Sequence, residues 1–175
     1  MTCADAKAQV KTKLTLEPTV VVKWEPDCDA DLSMLGEYSN TAEEGAIDRE
    51  ERGDMGRGEY RYWNPANHGK YNPKDWEHVS GKEKRGLIKK HGSLKNTVAS
   101  YRMEDYKRHE DYNRGQWQME GCIVTVRLGE LEGTSSLWGI ESDCGEDYRA
   151  EVIADVTVEA LNALEDKVMA RLAVE

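Results

Sequence analysis

The last segment of the chain constrains the fold most. Between Asp147 and Leu172, apolar side chains stand at Ile153, Val156, Ala160, Leu161, Leu164, Val168 and Leu172, in steps of three and four. That spacing places them on one face of a helix, and such a face must be buried against another element. Val152–Val158 also reads as a strand start, but the Ala, Leu and Glu content of the remaining residues favours helix. A second helix is expected from a cap at Ser93 or Asn96 to about Arg114. Leu94, Val98, Tyr101, Asp105 and Tyr112 recur there near the helical period, and Gly115 ends it.

Three segments read as strands. Thr19–Glu25 is β-branched and closed by Pro26. Trp117–Leu128 alternates but changes phase near Gly121, as at a bulge or a close backbone approach. A turn over Gly129–Gly133 then leads into Thr134–Ile140, completing a hairpin. From Asp31 to about Lys90 the chain holds eight Gly and two of its four Pro, so long ordered elements are not expected there, apart from a short helix around Thr41–Arg52. The expected fold is α+β: a small three-stranded antiparallel sheet packed against two long helices, with a long irregular middle. Residues 1–18 are expected to form a flexible N-terminal segment, and 19–175 one domain.

The composition narrows the classes further. Charged residues make up 33% of the 175 and apolar ones only 38%, which suits a domain carrying polar loops. No stretch approaches the ~18 apolar residues of a membrane span, and Met1–Lys13 lacks the apolar core of a secretory signal. Cys3, Cys28, Cys122 and Cys144 lie far apart without a C-x-x-C, as expected of reduced thiols in a cytoplasm. Phe is absent, while five Trp and eight Tyr supply aromatic side chains with polar handles suited to half-buried surfaces.

Few groupings of residues suit catalysis. Asp27, Asp29 and Asp31 have the opening spacing of a calcium loop, but Leu32 and Tyr38 stand where the loop needs Gly and Glu. A looser divalent site with Glu141, Asp143, Glu146 or Asp147 stays open as a weak alternative. Cys28 and Cys144, with His68, His78, His91 or His109, lack local zinc spacing. Pro26-Asp27 and Asp105-Tyr106-Lys107 match a restriction-nuclease pattern in letters only, and no Gly-rich phosphate loop occurs. No cofactor is expected.

Charge is segregated. The net −10 divides into −7 over residues 1–60, +5 over 61–120 and −8 over 121–175. In the middle, Lys82, Lys84, Arg85, Lys89, Lys90, His91 and Lys95 form a basic run, continued on the expected helix by Arg102, Lys107 and Arg108 with Tyr101 and Tyr106 between them. That mixture suits phosphates and bases. At the acidic end, Glu146, Asp147, Glu151, Asp155 and Glu159 fall on or near one side of the last helix. Such a row can occupy a groove built for nucleic acid, and ordinary helix solubility explains it nearly as well.

One resemblance adds a setting. Tyr38-Ser39, Gly45-Ala46-Ile47-Asp48-Arg49, Gly53-Asp54-Met55-Gly56-Arg57, Glu59–Pro65, Asp105-Tyr106, Arg108, Glu110, Tyr112–Gly115, Trp117 and Leu137–Asp143 resemble a family of small tailed-phage and prophage proteins without an assigned activity. His109 departs from the Met expected there. The resemblance implies a phage accessory protein in a bacterial cytoplasm, where small acidic proteins are often anti-CRISPR or anti-restriction inhibitors. The leading expectation is a non-enzymatic protein that binds a bacterial host protein or nucleoprotein complex handling nucleic acid and inhibits or redirects it. Its contacts would be Glu141, Asp143, Glu146, Asp147, Glu151, Asp155 and Glu159, with Trp63 and Trp76 as exposed anchors. The alternatives are a nucleic-acid-binding accessory protein using Lys84, Arg85, Lys89, Lys90, Arg102, Lys107 and Arg108, and a metal-dependent enzyme on Asp27, Asp29 and Asp31. Oligomeric state stays open.

Overall fold

The computed structural model describes residues 17–57, 59–67 and 69–173. The expected N-terminal segment therefore lies almost wholly outside the described residues, as does His68. The protein is α+β and divides into two compact units. One is formed by the chain up to Ala30 and again from Trp117, the other by Asp31–Gln116.

In the discontinuous unit, strands β1 (Thr19–Pro26), β5 (Met119–Leu128) and β6 (Leu131–Glu141) form an antiparallel sheet in the order β1-β5-β6. Thr19 lies opposite Arg127 and Pro26 opposite Glu120. Leu128 faces Leu131 across a two-residue turn that Gly129 enters at φ 62°, so β6 begins three residues earlier than the sequence suggests. The phase change at Gly121 is a register shift between Glu120 and Cys122. The Trp138 indole lies where a Cβ on Gly121 would stand.

The final helix, Glu146–Leu172, packs on β6 and β5. Val152, Val156, Ala160 and Leu164 are buried against Cys122, Val124, Val126 and Ile140. Gly133 lets the helix backbone approach the strand at Ala160 and Leu164. The buried stripe is narrower than the sequence suggests. Ile153 and Val168 are half-buried at its margin, whereas Leu161 and Leu172 are exposed, because a single sheet covers only one side of this helix.

The contiguous unit corrects the expectation of an irregular middle. A second antiparallel sheet runs in the order β2-β4-β3, from Gly36–Ser39, Tyr62–Pro65 and Ile47–Asp48. The helix expected over Thr41–Arg52 is reduced to one turn, α1 (Arg49–Arg52). A 3-10 turn at Pro73–Trp76 is followed by α2 (Gly81–His91), α3 (Leu94–Asn113) and, in the other unit, the final helix, α4. Ser80 caps α2 by accepting from the Glu83 amide. Ser93 caps α3 in the same way through Asn96. Helix α3 was expected on the β1-β5-β6 sheet. It packs instead within its own unit, where Tyr106 joins Ile47 and Trp63 in a small core that Leu35, Tyr38 and Met103 complete.

Candidate functional site

Two places gather the chain's charged residues. The first is built around Arg49. Asp48 caps α1, accepting from the amides of Glu50 and Glu51 through one oxygen, while its other oxygen takes Arg61 Nε and Nη2. The cap fixes the direction of the single helical turn, and Arg49 enters the interior. Gly53, at φ 74°, then reverses the chain so that Asp54, Glu59 and Tyr60 reach the guanidinium.

Arg49 donates from both terminal nitrogens, while its buried Nε has no hydrogen-bond partner among the described residues. Nη1 donates to the Tyr60 carbonyl at 2.9 Å. Nη2 donates to the Asp54 carbonyl, to Glu59 Oε2 at 2.7 Å and to Glu110 Oε1 at 3.2 Å. The Tyr38 ring lies 4.8 Å from the guanidinium carbon. The Arg49 and Glu110 side chains are only 6% and 10% exposed, so neither charge is hydrated as it would be on a surface.

Helix α3 supplies the other half at helical spacing. Tyr106, His109, Glu110 and Asn113 share the face turned to the small sheet. Glu110 accepts from Tyr38 Oη at 2.7 Å and from Arg114 at 3.2 Å, so its carboxylate has three donors. Asn113 donates to the same Tyr38 oxygen, and Tyr106 Oη donates to Asp54. Burial, reinforced by the hydrogen bond to Glu110, pushes the Tyr38 phenol well above its ordinary range and keeps it a proton donor. Trp63 Nε1 donates to His109 Nδ1 at 3.2 Å. Burial pulls His109 below its ordinary value, which favours the neutral ring that this bond needs.

A cleft of about 710 Å³ opens over this network. Among the described residues, Tyr38, Arg49, Glu59 and Glu110 line it. The carboxylates there are held by arginines and amides, and the phenol keeps its proton. The arrangement braces the small sheet against α3.

The second place is the outer side of α4. Glu146, Asp147, Glu151 and Asp155 are exposed, and none takes part in an ion pair among the described residues. Glu159 accepts from Ser135 Oγ on β6 at 2.6 Å. Positions four apart on a helix rise ~6 Å, so Asp147, Glu151, Asp155 and Glu159 form a ladder of evenly spaced carboxylates. Val158 and Leu161 are exposed along the same helix. Glu141 and Asp143, expected on this surface, have partners of their own.

Other expected residues are placed differently. Trp63 is fully buried and is no surface anchor, because β4 turns it into the core toward His109 and Tyr106. Trp76 is half-buried in a hollow with Val79, Val98 and Tyr101. Arg102 donates to the Gly69 carbonyl, Arg108 is engaged, and Tyr106 is buried, so α3 does not offer the basic and aromatic row that its letters suggest. Lys107 is exposed. On α2, Arg85, Lys89 and Lys90 are exposed and Lys84 is half-buried.

Asp27 accepts from the Asp29 amide, and Asp31 from the Ser33 amide, which is turn chemistry. Among the described residues no group of three or more His, Cys, Asp or Glu is arranged to hold a metal, and no helix is long and apolar enough to cross a membrane. The Arg49–Glu110 brace was missed by sequence reading. Nothing local in the sequence ties Arg49 to Glu110, 61 residues apart. Comparison with protein-family models, curated proteins and solved structures finds no match for the chain.

Proposed function

We propose that this chain is a non-enzymatic binding protein, of the phage accessory kind its sequence resembles, that docks on a bacterial nucleic-acid-handling complex and inhibits or redirects it. The observation that supports this reading is the carboxylate ladder of α4, exposed and unneutralised by neighbours. A groove that binds a duplex is built for a regular series of negative charges, and carboxylates every ~6 Å on a rigid helix present one. The exposed Val158 and Leu161 add an apolar margin that a merely solvated face does not need.

The test is capture from nuclease-treated lysate of a phage-susceptible bacterium, comparing the wild-type protein with Glu151→Lys/Asp155→Lys. Glu159 is left intact because of its bond to Ser135. The expected result is a discrete protein partner that survives nuclease and is recovered at least tenfold less with the variant, with unchanged circular dichroism. Equal recovery by both proteins refutes the reading.

One observation favours a second reading, direct binding of nucleic acid. Lys82, Arg85 and Lys89, at i, i+3 and i+7, share one exposed face of α2, and none is in an ion pair among the described residues. If they contact phosphates, affinity for a single-stranded oligonucleotide falls with salt at a log–log slope of about −2, from ~0.7 per phosphate. Reversing all three to Glu abolishes that binding, and a flat salt dependence removes this reading.

A further inference from the structure

We propose that the outer edge of β6, flanked by the carboxylates of α4, takes an extended basic segment of the partner as a fourth strand of the β1-β5-β6 sheet. This inference rests on α4 as the contact face and names the element of the partner that would meet it.

Three observations converge on this edge. First, β6 is the longest strand among the described residues and pairs there only with β5, so its far side presents backbone donors and acceptors, of which the Glu132 carbonyl is taken by Lys167 Nζ of α4 at 2.8 Å. Such edges are commonly protected by Pro or by Lys; Leu131–Glu141 itself contains neither Pro, Lys nor Arg, and Lys167 guards only its start, at Glu132, leaving the stretch from Thr134 onward open. Addition of a strand to an open edge is an established mode of recognition, with main-chain bonds giving affinity and alternate side chains giving specificity.

Second, the flank beside this edge is acidic and in register. Gly133 abuts Ala160 and Leu164, and Ser135 donates to Glu159, so α4 runs antiparallel to β6. Two strand residues advance ~6.7 Å, which is four to five helical residues. Leu137 therefore lies level with Asp155, and Gly139 level with Glu151. Tyr148, Asp155 and Glu159, at i, i+7 and i+11, form one stripe on that flank of the helix, with Glu151 beside it. Alternate side chains of an added strand would meet Glu159, Asp155 and Glu151 in turn, at the spacing that alternate residues of a strand provide.

Third, apolar surface lies exposed along the same flank. Leu137 is 44% exposed and Tyr148 is 49% exposed, on the strand and the helix respectively. The complementary segment is thus extended, with Lys or Arg on the face turned to α4 and apolar side chains near Leu137 and Tyr148. The opposite edge does not discriminate by charge in this way. There β1 exposes Val20, Val21 and Val22, and α4 meets it through a cation, Arg149, over the Trp24 ring at 4.3 Å.

The probe is a fluorescein-labelled peptide of alternating lysine and valine, with a second peptide of the same sequence N-methylated on alternate residues so that it cannot pair with an edge. The full-length protein should bind the first saturably by fluorescence polarisation and the second at least tenfold more weakly. Leu137→Lys, which places on β6 the residue that guards natural edges, should weaken binding at least tenfold, as should Glu151→Lys/Asp155→Lys. Hydrogen exchange at the amides of residues 131–137 should slow when the first peptide is added. Equal binding of both peptides, or an undiminished affinity of Leu137→Lys, overturns the inference. Should Leu137→Lys fail to fold, the comparison of the two peptides decides by itself, since it leaves the protein untouched. With the captured partner, loss of recovery in Glu151→Lys/Asp155→Lys but not in Leu137→Lys leaves the α4 reading standing and refutes strand addition. Undiminished recovery by both variants refutes both.

Discussion

The buried brace can be tested by removing one charge and keeping the shape, with Glu110→Gln. Glu110 accepts from Tyr38, Arg49 and Arg114, and it is the most deeply buried carboxylate that Arg49 contacts. An exposed ion pair contributes about 1 kcal/mol or less, whereas removing one member of a buried pair costs about 3–5 kcal/mol because the other is left uncompensated. Arg49 keeps Glu59 at 2.7 Å, but that side chain is half exposed and replaces the lost charge only in part. The cost should therefore fall near the lower end, about 3 kcal/mol. For a chain of this length that corresponds to a fall in Tm of roughly 6–12 °C. Thermal and urea unfolding followed by far-ultraviolet circular dichroism measures it, with Glu59→Gln as the internal control at about 1 kcal/mol or less. A Glu110→Gln protein within about 1 kcal/mol of wild type, or a Glu59→Gln protein destabilised as strongly, would refute the assignment of the buried charge as the brace.

Two further outcomes are expected. Gly133→Ala places a methyl on the backbone of α4 at Ala160 and Leu164, where no flexible side chain can yield, so it should destabilise by about 1–3 kcal/mol. Urea unfolding checks this, and a neutral result would mean that helix and strand are not in close contact. The buried, neutral His109 makes stability depend on pH: its folded pKa lies below the ordinary 6.5, so the unfolded chain takes up the proton first. Its contribution is complete above about pH 6.5 and is lost as pH falls toward the folded value, before Asp48 and Glu59, whose pKa values are lowered, begin to lose theirs. His109→Gln, which can still accept from Trp63, should flatten the change in urea midpoint between pH 7.5 and 5.5, and an unchanged slope would exclude His109 as its source.

The discontinuous unit was largely legible because each of its elements announces itself locally. Val20–Val22 are β-branched, Gly121 breaks an alternation, and Val156, Ala160 and Leu164 keep helical steps. What the periodicity overstated was the width of the buried stripe, since a sheet covers one side of a helix and leaves Leu161 outside. The contiguous unit was hidden by the same reasoning. Its strands are two and four residues long, too short for a period to register, and its core rests on single residues such as Ile47, Trp63 and Tyr106. Helix α2 has no buried residue and carries two glycines, so it shows no apolar stripe, and the spacing of Ser80 and Glu83, a start signal, went unread. The α4 carboxylates could be placed on a helix from sequence. The brace could not, because charge pairing between distant segments leaves no local pattern.

The arrangement of β1 governs the order in which the protein can be born. Its pairing partner β5 follows about a hundred residues later, so at synthesis rates of about 5–20 residues per second β1 waits roughly 5–20 s after leaving the ribosome before it can enter a ladder. Residues 31–116 are contiguous and are all available before that moment. During the interval Val20, Val21 and Val22 lack the strand they pair with in the finished fold. An unpaired strand of this kind is open to pairing with a neighbouring chain until β5 arrives.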